Sequence, residues 1–473
     1  MSLADRVRHT EGPVRLRAKW VLPIDMPPIE DGEVHLEDGE IVWVGKSSGR
    51  EPTADFRMSA ILPGLVNAHA HLEHTVLRGL LEEVTFVSRT RAIATLKAQL
   101  SLEDWVASAT LGAGEHLSAG ITTVADTADS GASLTALLTS GQRGIVFREV
   151  LGIERETNTE TTISVLKKRL GEMRDQIERH HAEDRVQVGI SPHSAYSVSA
   201  ALLRELAVFA DARGLRQTIR VAESPAEDLL IRQGEGPFAE IFRQRAIPWA
   251  TPNMSPVCYL SDCGALEAPT LAIHCVQIDA SDATLLKQKN VAVAHCPRSS
   301  GKQGFGIAPI SMLLKAGVSV GLGTDSADAS GSTDLFEEMR FAVYNARALR
   351  KDVAALTARN ALHMATLGGA TALGLEKEIG SLRHGKRADL CVVRLDGLHM
   401  TPTADDNPEA ALVYSGRASD VLMTMVGGRV LYELGTYPLL DMGRLRSTVA
   451  HTRQRLKKEA SKALANSTHA QAS

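Results

Sequence analysis

A distorted (β/α)8 TIM barrel, with a small β-sandwich domain built from both chain ends, is the α/β fold that this 473-residue sequence predicts. Three observations carry it. Short β-rich runs recur through the middle of the chain, at 61–66, 121–125, 144–150, 186–190, 218–222, 271–273, 291–294 and 318–322. Helix-length amphipathic stretches such as 202–212 and 282–289 separate most of them, and strand–helix alternation implies parallel strands. Eight such runs over roughly 300 residues suit a closed barrel. A doubly wound open sheet competes, but no Gly-x-Gly-x-x-Gly opens a helix to support it.

The elements follow in order. Within residues 14–48, Val34 and Leu36 alternate with polar neighbours, Asp38-Gly39 offers a tight turn, and Ile41 and Trp43 alternate again. That pattern predicts a hairpin. The same texture returns near 380–434, in Ala388-Asp389-Leu390-Cys391-Val392-Val393 and in Val421-Leu422-Met423-Thr424-Met425-Val426 before Gly427-Gly428. Residues 1–58 and 376–435 are therefore expected to build the small β domain, and 59–375 the barrel. From about Lys457 the chain is rich in Ala, Ser, Lys and Gln, which predicts a fraying helix and then disorder within 436–473.

Composition narrows the function. The chain is 44% hydrophobic and 23% charged, as globular proteins are. A net charge of -4 gives no electrostatic reason to expect nucleic acid or an anionic membrane surface as partner. No apolar run reaches the ~18 residues that a membrane helix needs, and residues 1–9 lack a signal-peptide core. The five cysteines, Cys258, Cys263, Cys275, Cys296 and Cys391, are odd in number, scattered and without a Cys-x-x-Cys pair. They predict reduced thiols, a cytoplasmic home and no cysteine zinc site.

The chemistry starts at His69 and His71, directly after an apolar run. In a strand, residues two apart share a face, so two imidazoles there can grip one metal ion. Catalytic groups of a barrel gather at the C-terminal ends of its strands. The later runs lead into His193, Glu223, His274, His295 and Asp325.

These residues carry a resemblance. The segments Pro63-Gly64-Leu65-Val66-Asn67-Ala68-His69-Ala70-His71, Ser191-Pro192-His193, His295-Cys296-Pro297-Arg298-Ser299 and Gly323-Thr324-Asp325-Ser326 resemble the amidohydrolase superfamily, in its branch of metal-dependent deaminases and chlorohydrolases. Gly380-Ser381-Leu382-Arg383-His384-Gly385-Lys386-Arg387-Ala388-Asp389-Leu390 resembles a pattern of that family's small β domain. The resemblance spans about residues 15–435, and in its details it is most similar to aminodeoxyfutalosine deaminases. It implies that His69, His71 and Asp325 hold one divalent metal, zinc before ferrous iron. It implies that Asp325 takes a proton from the attacking water, that Glu223 delivers protons to a ring nitrogen and to the leaving amine, and that His274 acts on the attacking oxygen. His193 is expected to contact substrate. Glu73 could face the substrate or sit at the rim. Arg148, beside Glu149, could read a sugar hydroxyl or form a buried ion pair.

One position departs from the pattern. The branch reads His-x-Ala-Glu on the fifth strand, where this chain reads Arg220-Val221-Ala222-Glu223. Arginine has no acceptor lone pair and stays protonated. At ~5 Å and an effective dielectric of about 20, a +1/+2 pair costs on the order of 6 kcal/mol before screening. Three readings of Arg220 stay open: an ion pair with Glu223 or Asp325, a contact to an anionic group of an altered substrate, or a chain that kept the fold and lost hydrolysis. His74 lies close enough in sequence to compensate as a ligand. The expected function is hydrolytic deamination of an adenine-type nucleoside by a cytoplasmic homodimer. The alternative is a catalytically impaired member that binds a small molecule in the same pocket.

Overall fold

The computed structural model describes residues 2–10, 12–154 and 157–469. The amino-terminal part forms β1 (Val14–Val21), β2 (Ile29–Glu37), β3 (Glu40–Lys46), β4 (Ala54–Asp55) and β5 (Ser59–Pro63). The hairpin β2–β3 turns at Asp38-Gly39, both at positive φ, and pairs Glu37 with Glu40. Two positive φ values in a two-residue loop match the right-handed twist of the flanking strands.

The middle of the chain forms β6 (Leu65–His71), β7 (Ile121–Ala128), β8 (Arg143–Val150), β9 (Val186–Pro192), β10 (Gln217–Val221), β11 (Thr270–His274), β12 (Ala292–His295), β13 (Val320–Leu322) and β14 (Asp325–Ser326). Neighbours in this sheet pair in parallel, in the order β13-β12-β11-β10-β9-β8-β7-β6-β14. Since β14 continues β13 past Gly323-Thr324 and pairs with β6, the sheet curls back on itself. Helices separate the strands as the alternation predicts. One of them, Ala200–Asp211, is capped by Ser199 and buries Leu202, Leu203, Leu206, Ala207 and Ala210 on one face.

The chain ends share a second sheet. β15 (Leu390–Arg394), β16 (Val421–Val426) and β17 (Arg429–Glu433) extend the amino-terminal strands in the order β17-β16-β15-β5-β1-β2-β3. The run 61–66, which alternation reads as one strand, is divided between the two sheets. β5 pairs with β1 and β15, whereas β6 belongs to the barrel. The break is Gly64, where a Cβ atom would lie 2.1 Å from the Thr122 side chain.

Inside the barrel, Val66, Ala68, Ile145, Phe147, Leu271 and Ile273 pack as one buried cluster with Ala370 and Leu373. The last helix, Met442–His469, runs on through Lys457, where composition predicts fraying. Val449, Leu456 and Ala460 bury against Val76, Ala92 and Leu96, which explains why it persists. The disorder expected at the end of the tail falls on 470–473, outside the described residues. Among the described residues no helix is long and apolar enough to cross a membrane.

The Gly64 crossover yields a stability prediction. Gly64→Ala places a methyl group against Thr122, so urea unfolding should register a loss of about 1–3 kcal/mol. A loss below half of that range would mean that the two sheets do not meet so tightly there.

Candidate functional site

The side chains predicted to act together do meet, because several strand ends depart from regular geometry. The register of β6 against β7 shifts between Asn67 and Ala70. Such irregularities re-aim side chains. They let Val66 and Ala68 pack inside the barrel while His69 and His71 still turn to its mouth. Ala222 just after β10, His274 at the end of β11 and Asp325 at the start of β14 adopt φ of 49°, 77° and 56°. Left-handed backbone at non-glycine residues is strained and persists where surrounding contacts enforce it.

Asp325 shows that enforcement. Ser299 donates to its Oδ2 at 2.5 Å and the Ser326 amide to its Oδ1 at 2.7 Å. Asn67 clamps the adjoining backbone, donating to Thr324 Oγ1 at 2.7 Å and accepting from the Thr324 amide at 3.0 Å. His69 Nε2 and His71 Nε2 lie 3.6 and 3.7 Å from Asp325 Oδ1. The three ligand atoms fall within 4.8 Å of one another. His69 Nε2 is buried with no hydrogen-bond partner. Two imidazoles and a carboxylate at this spacing, one with an orphaned lone pair, fit a divalent metal ion.

Arg220 sits beside this set, 9% exposed. Its Nη2 donates to His71 Nε2, and its Nη1 lies 3.5 Å from Glu149 Oε1. The ion pair expected with Glu223 or Asp325 is thus made with Glu149 instead. Those two carboxylates act on Arg220 only through the field. At 3.5 Å and an effective dielectric of about 20, the Glu149 attraction is roughly 5 kcal/mol, comparable to the repulsion that Arg220 exerts on a divalent ion. His74 does not join the ligand set. Its ring stacks on His71 at 5.0 Å, and its Nδ1 faces Asp328 at 3.6 Å.

Glu223 and His274 stand opposite, with Oε1 and Nε2 3.2 Å apart. Glu227 holds the turn between them, accepting from the amides of Ala222 at 3.2 Å and Glu223 at 2.7 Å. The other oxygen of Glu223, Oε2, is buried without a partner. His193 is oriented by Ser197 Oγ at 2.7 Å from its Nδ1. His71, His193, Arg220, Glu223 and Asp325 line a cavity of about 610 Å³, a size that suits a small organic molecule. Its far wall is apolar, with Tyr196 stacked on Phe238 at 4.3 Å.

Two expected substrate contacts are absent from the cavity lining. Arg148 donates to the Asp129 carbonyl, and Glu73 accepts from the Asp129 amide at 3.0 Å and from the Ser130 hydroxyl. Alternation explains the first. Ile145 and Phe147 point inward, so Glu149 follows them and Arg148 faces out. That phase was readable in β8. The Asn67 clamp and the Glu227 brace had no such signal, since both join residues through turns of irregular backbone.

Residues 60–431 match the amidohydrolase family. A 5-methylthioadenosine/S-adenosylhomocysteine deaminase from Moorella thermoacetica is 32% identical, over 91% of this chain and 96% of its own length. A protein of the same name from Pelotomaculum thermopropionicum is 33% identical, over 89% and 93%. The structure of an adenosine deaminase from Xanthomonas campestris with bound zinc superposes with a TM-score of 0.82 at 26% identity, covering 94% of this chain and 99% of that one. The atrazine chlorohydrolase of Arthrobacter aurescens, complexed with zinc, shares the fold with a TM-score of 0.79 at 23% identity, over 93% and 100%.

Burial sets the electrostatics of the imidazoles. It pushes His116 and His193 down to about 4 and His295 to about 3. In the unfolded chain each returns to about 6.5. Between pH ~4 and ~6.5 the unfolded chain therefore binds more protons, so their contribution is complete above pH ~6.5 and is lost as pH falls toward ~4. For these groups together, stability should fall by up to about 4 kcal/mol per pH unit within that window. Urea unfolding of chelator-treated protein across pH 4.5–7.5 measures the slope. A flat profile would mean that these rings titrate in the fold as they do in the unfolded chain.

Proposed function

The chain belongs to the amidohydrolase family, and from that premise we propose that it removes the exocyclic amino group of an adenine-type nucleoside by hydrolysis, releasing ammonia. The observation that carries this reading is the convergence of Glu223 and Asp325 on one cavity beside the His69–His71 pair, with His274 buried behind Glu223 at 3.2 Å. Zinc is the ion proposed for His69, His71 and Asp325, since imidazole and carboxylate donors suit it. When bound, it would supply Lewis-acid activation of a water molecule.

The side chains do the rest. Burial opposes ionisation of Asp325, but the contact with His69, with the charges of His274 and His71 behind it, holds its carboxyl well below the usual carboxylate range. As a carboxylate, Asp325 accepts the proton of the attacking water. Glu223, with one oxygen near His274 and one unpartnered, hands a proton to the ring nitrogen beside the attacked carbon, then takes the remaining proton of the added hydroxyl and passes it to the departing amine. His274 orients the incoming oxygen. His193, anchored through Nδ1, offers its other nitrogen to the nucleoside. The apolar wall around Tyr196 and Phe238 receives the base or a 5′ substituent and keeps bulk solvent out of the cavity.

The Arg220 contact to His71 favours a second reading, a small-molecule-binding protein whose metal site is too weak for turnover. Ammonia release from adenosine, 5′-methylthioadenosine, S-adenosylhomocysteine and aminodeoxyfutalosine, with zinc content measured on the same samples, separates the two. Turnover of any of them supports deamination. Protein that fails to retain zinc and releases no ammonia from the panel supports the second reading.

Glu223→Gln keeps the shape of the side chain but carries no transferable proton. Ammonia release should drop by at least about 10²-fold with the melting temperature within a few degrees of wild type. A rate within tenfold of wild type removes Glu223 from the chemistry.

A further inference from the structure

Arg220 and the ion have a claim on the same atom. His71 Nε2 is one of the three convergent ligand atoms, and it accepts an N–H from Arg220 Nη2. One lone pair serves a metal or a donor, not both at once. Arginine cannot leave this competition by losing its proton. An ion can therefore occupy the site only if the guanidinium has somewhere else to direct its charge.

Glu149 is placed to receive it. Its Oε1 lies 3.5 Å from Arg220 Nη1, a nitrogen that is buried and makes no hydrogen bond. Both side chains line the same cavity. Lys97, another cation acting on Glu149, is paired with Asp129 at 2.9 Å. The remaining carboxylates near Arg220 are engaged elsewhere, Asp325 with Ser299 and the ligand histidines, Glu223 with His274.

We propose that Arg220 gates the metal site and that Glu149 is its second seat: the guanidinium either caps His71 or, when a metal takes that nitrogen, turns to Glu149, which holds its charge away from the ion. Glu149 is thus a positioning residue, acting on the site through Arg220. The proposal needs the ion but not the nucleoside, so a protein that binds zinc and deaminates nothing leaves it standing.

A double-mutant cycle on the full chain tests it. Protein stripped with a chelator is titrated with Zn2+ against a competing fluorescent indicator, for wild type, Glu149→Gln, Arg220→Met and the double variant, with circular dichroism and melting curves as folding controls. Glu149→Gln should weaken zinc binding at least tenfold. Arg220→Met should tighten it at least tenfold. With methionine at 220, the change at 149 should matter less than threefold, because the residue it acts through is gone. Glu149→Asp, which keeps the charge but shortens the reach, should fall between wild type and Glu149→Gln, and it carries the test if the amide variant does not fold. Zinc affinity within twofold of wild type for Glu149→Gln, or for Glu149→Asp where the amide variant does not fold, overturns the proposal. So does an equal loss in both backgrounds, since Glu149 would then act only as a nearby negative charge.

Discussion

The pairing of β14 with β6, which sets Asp325 opposite Ala70, is the contact on which the rest of the molecule depends. It closes the curl of parallel strands and brings a carboxylate from the end of the barrel between two histidines from its beginning. Left-handed backbone at Asp325 is tolerated because Ser299, Ser326 and the Asn67–Thr324 clamp hold it. Without closure, more than 250 residues of sequence would separate the first and last members of the site. Loop-closure entropy for such a span is met once, by the fold as a whole.

Closure also concentrates charge where solvent cannot screen it. Asp325, Glu223, Glu149 and Arg220 are all largely withdrawn from water. Buried carboxylates are costly unless cations or donors answer them. Arg220 answers in part, through Glu149 directly and through Asp325 and Glu223 at longer range. A divalent ion would bring the cluster to neutrality, since three carboxylates face one guanidinium. The arginine is thus an opponent of the ion at His71 and a component of the same charge balance.

Much of this was legible in the residues. The barrel strands, the hairpin at Asp38-Gly39 and the shared β domain all follow from alternation and turn chemistry. So does the gathering of His69, His71, Glu223, His274 and Asp325, since strand ends meet at one face of a barrel. The run 61–66 misled because apolar period says nothing of which sheet a strand joins, and only the closeness of Thr122 to Gly64 divides it. The tail misled because composition cannot see the groove that Val449 and Leu456 fill. Glu149 reaches the cavity and Arg148 does not, as the inward phase of Ile145 and Phe147 already favours.

By itself, the sequence determined which residues stand at the strand ends of the barrel mouth, because strand-end position is a local property of the chain, whereas the irregular backbone that aims them was not readable. It also determined that a fixed positive charge stands where an imidazole is expected, since residue identity is independent of folding. Only the tertiary structure decided what that charge touches. Arg220 meets His71 and Glu149 because β10 lies across the barrel mouth from β6 and two strands from β8, a relation set by sheet order and closure rather than by any neighbouring residue. Partner choice for a buried charge is a property of the assembled interior, where distance and desolvation are fixed together.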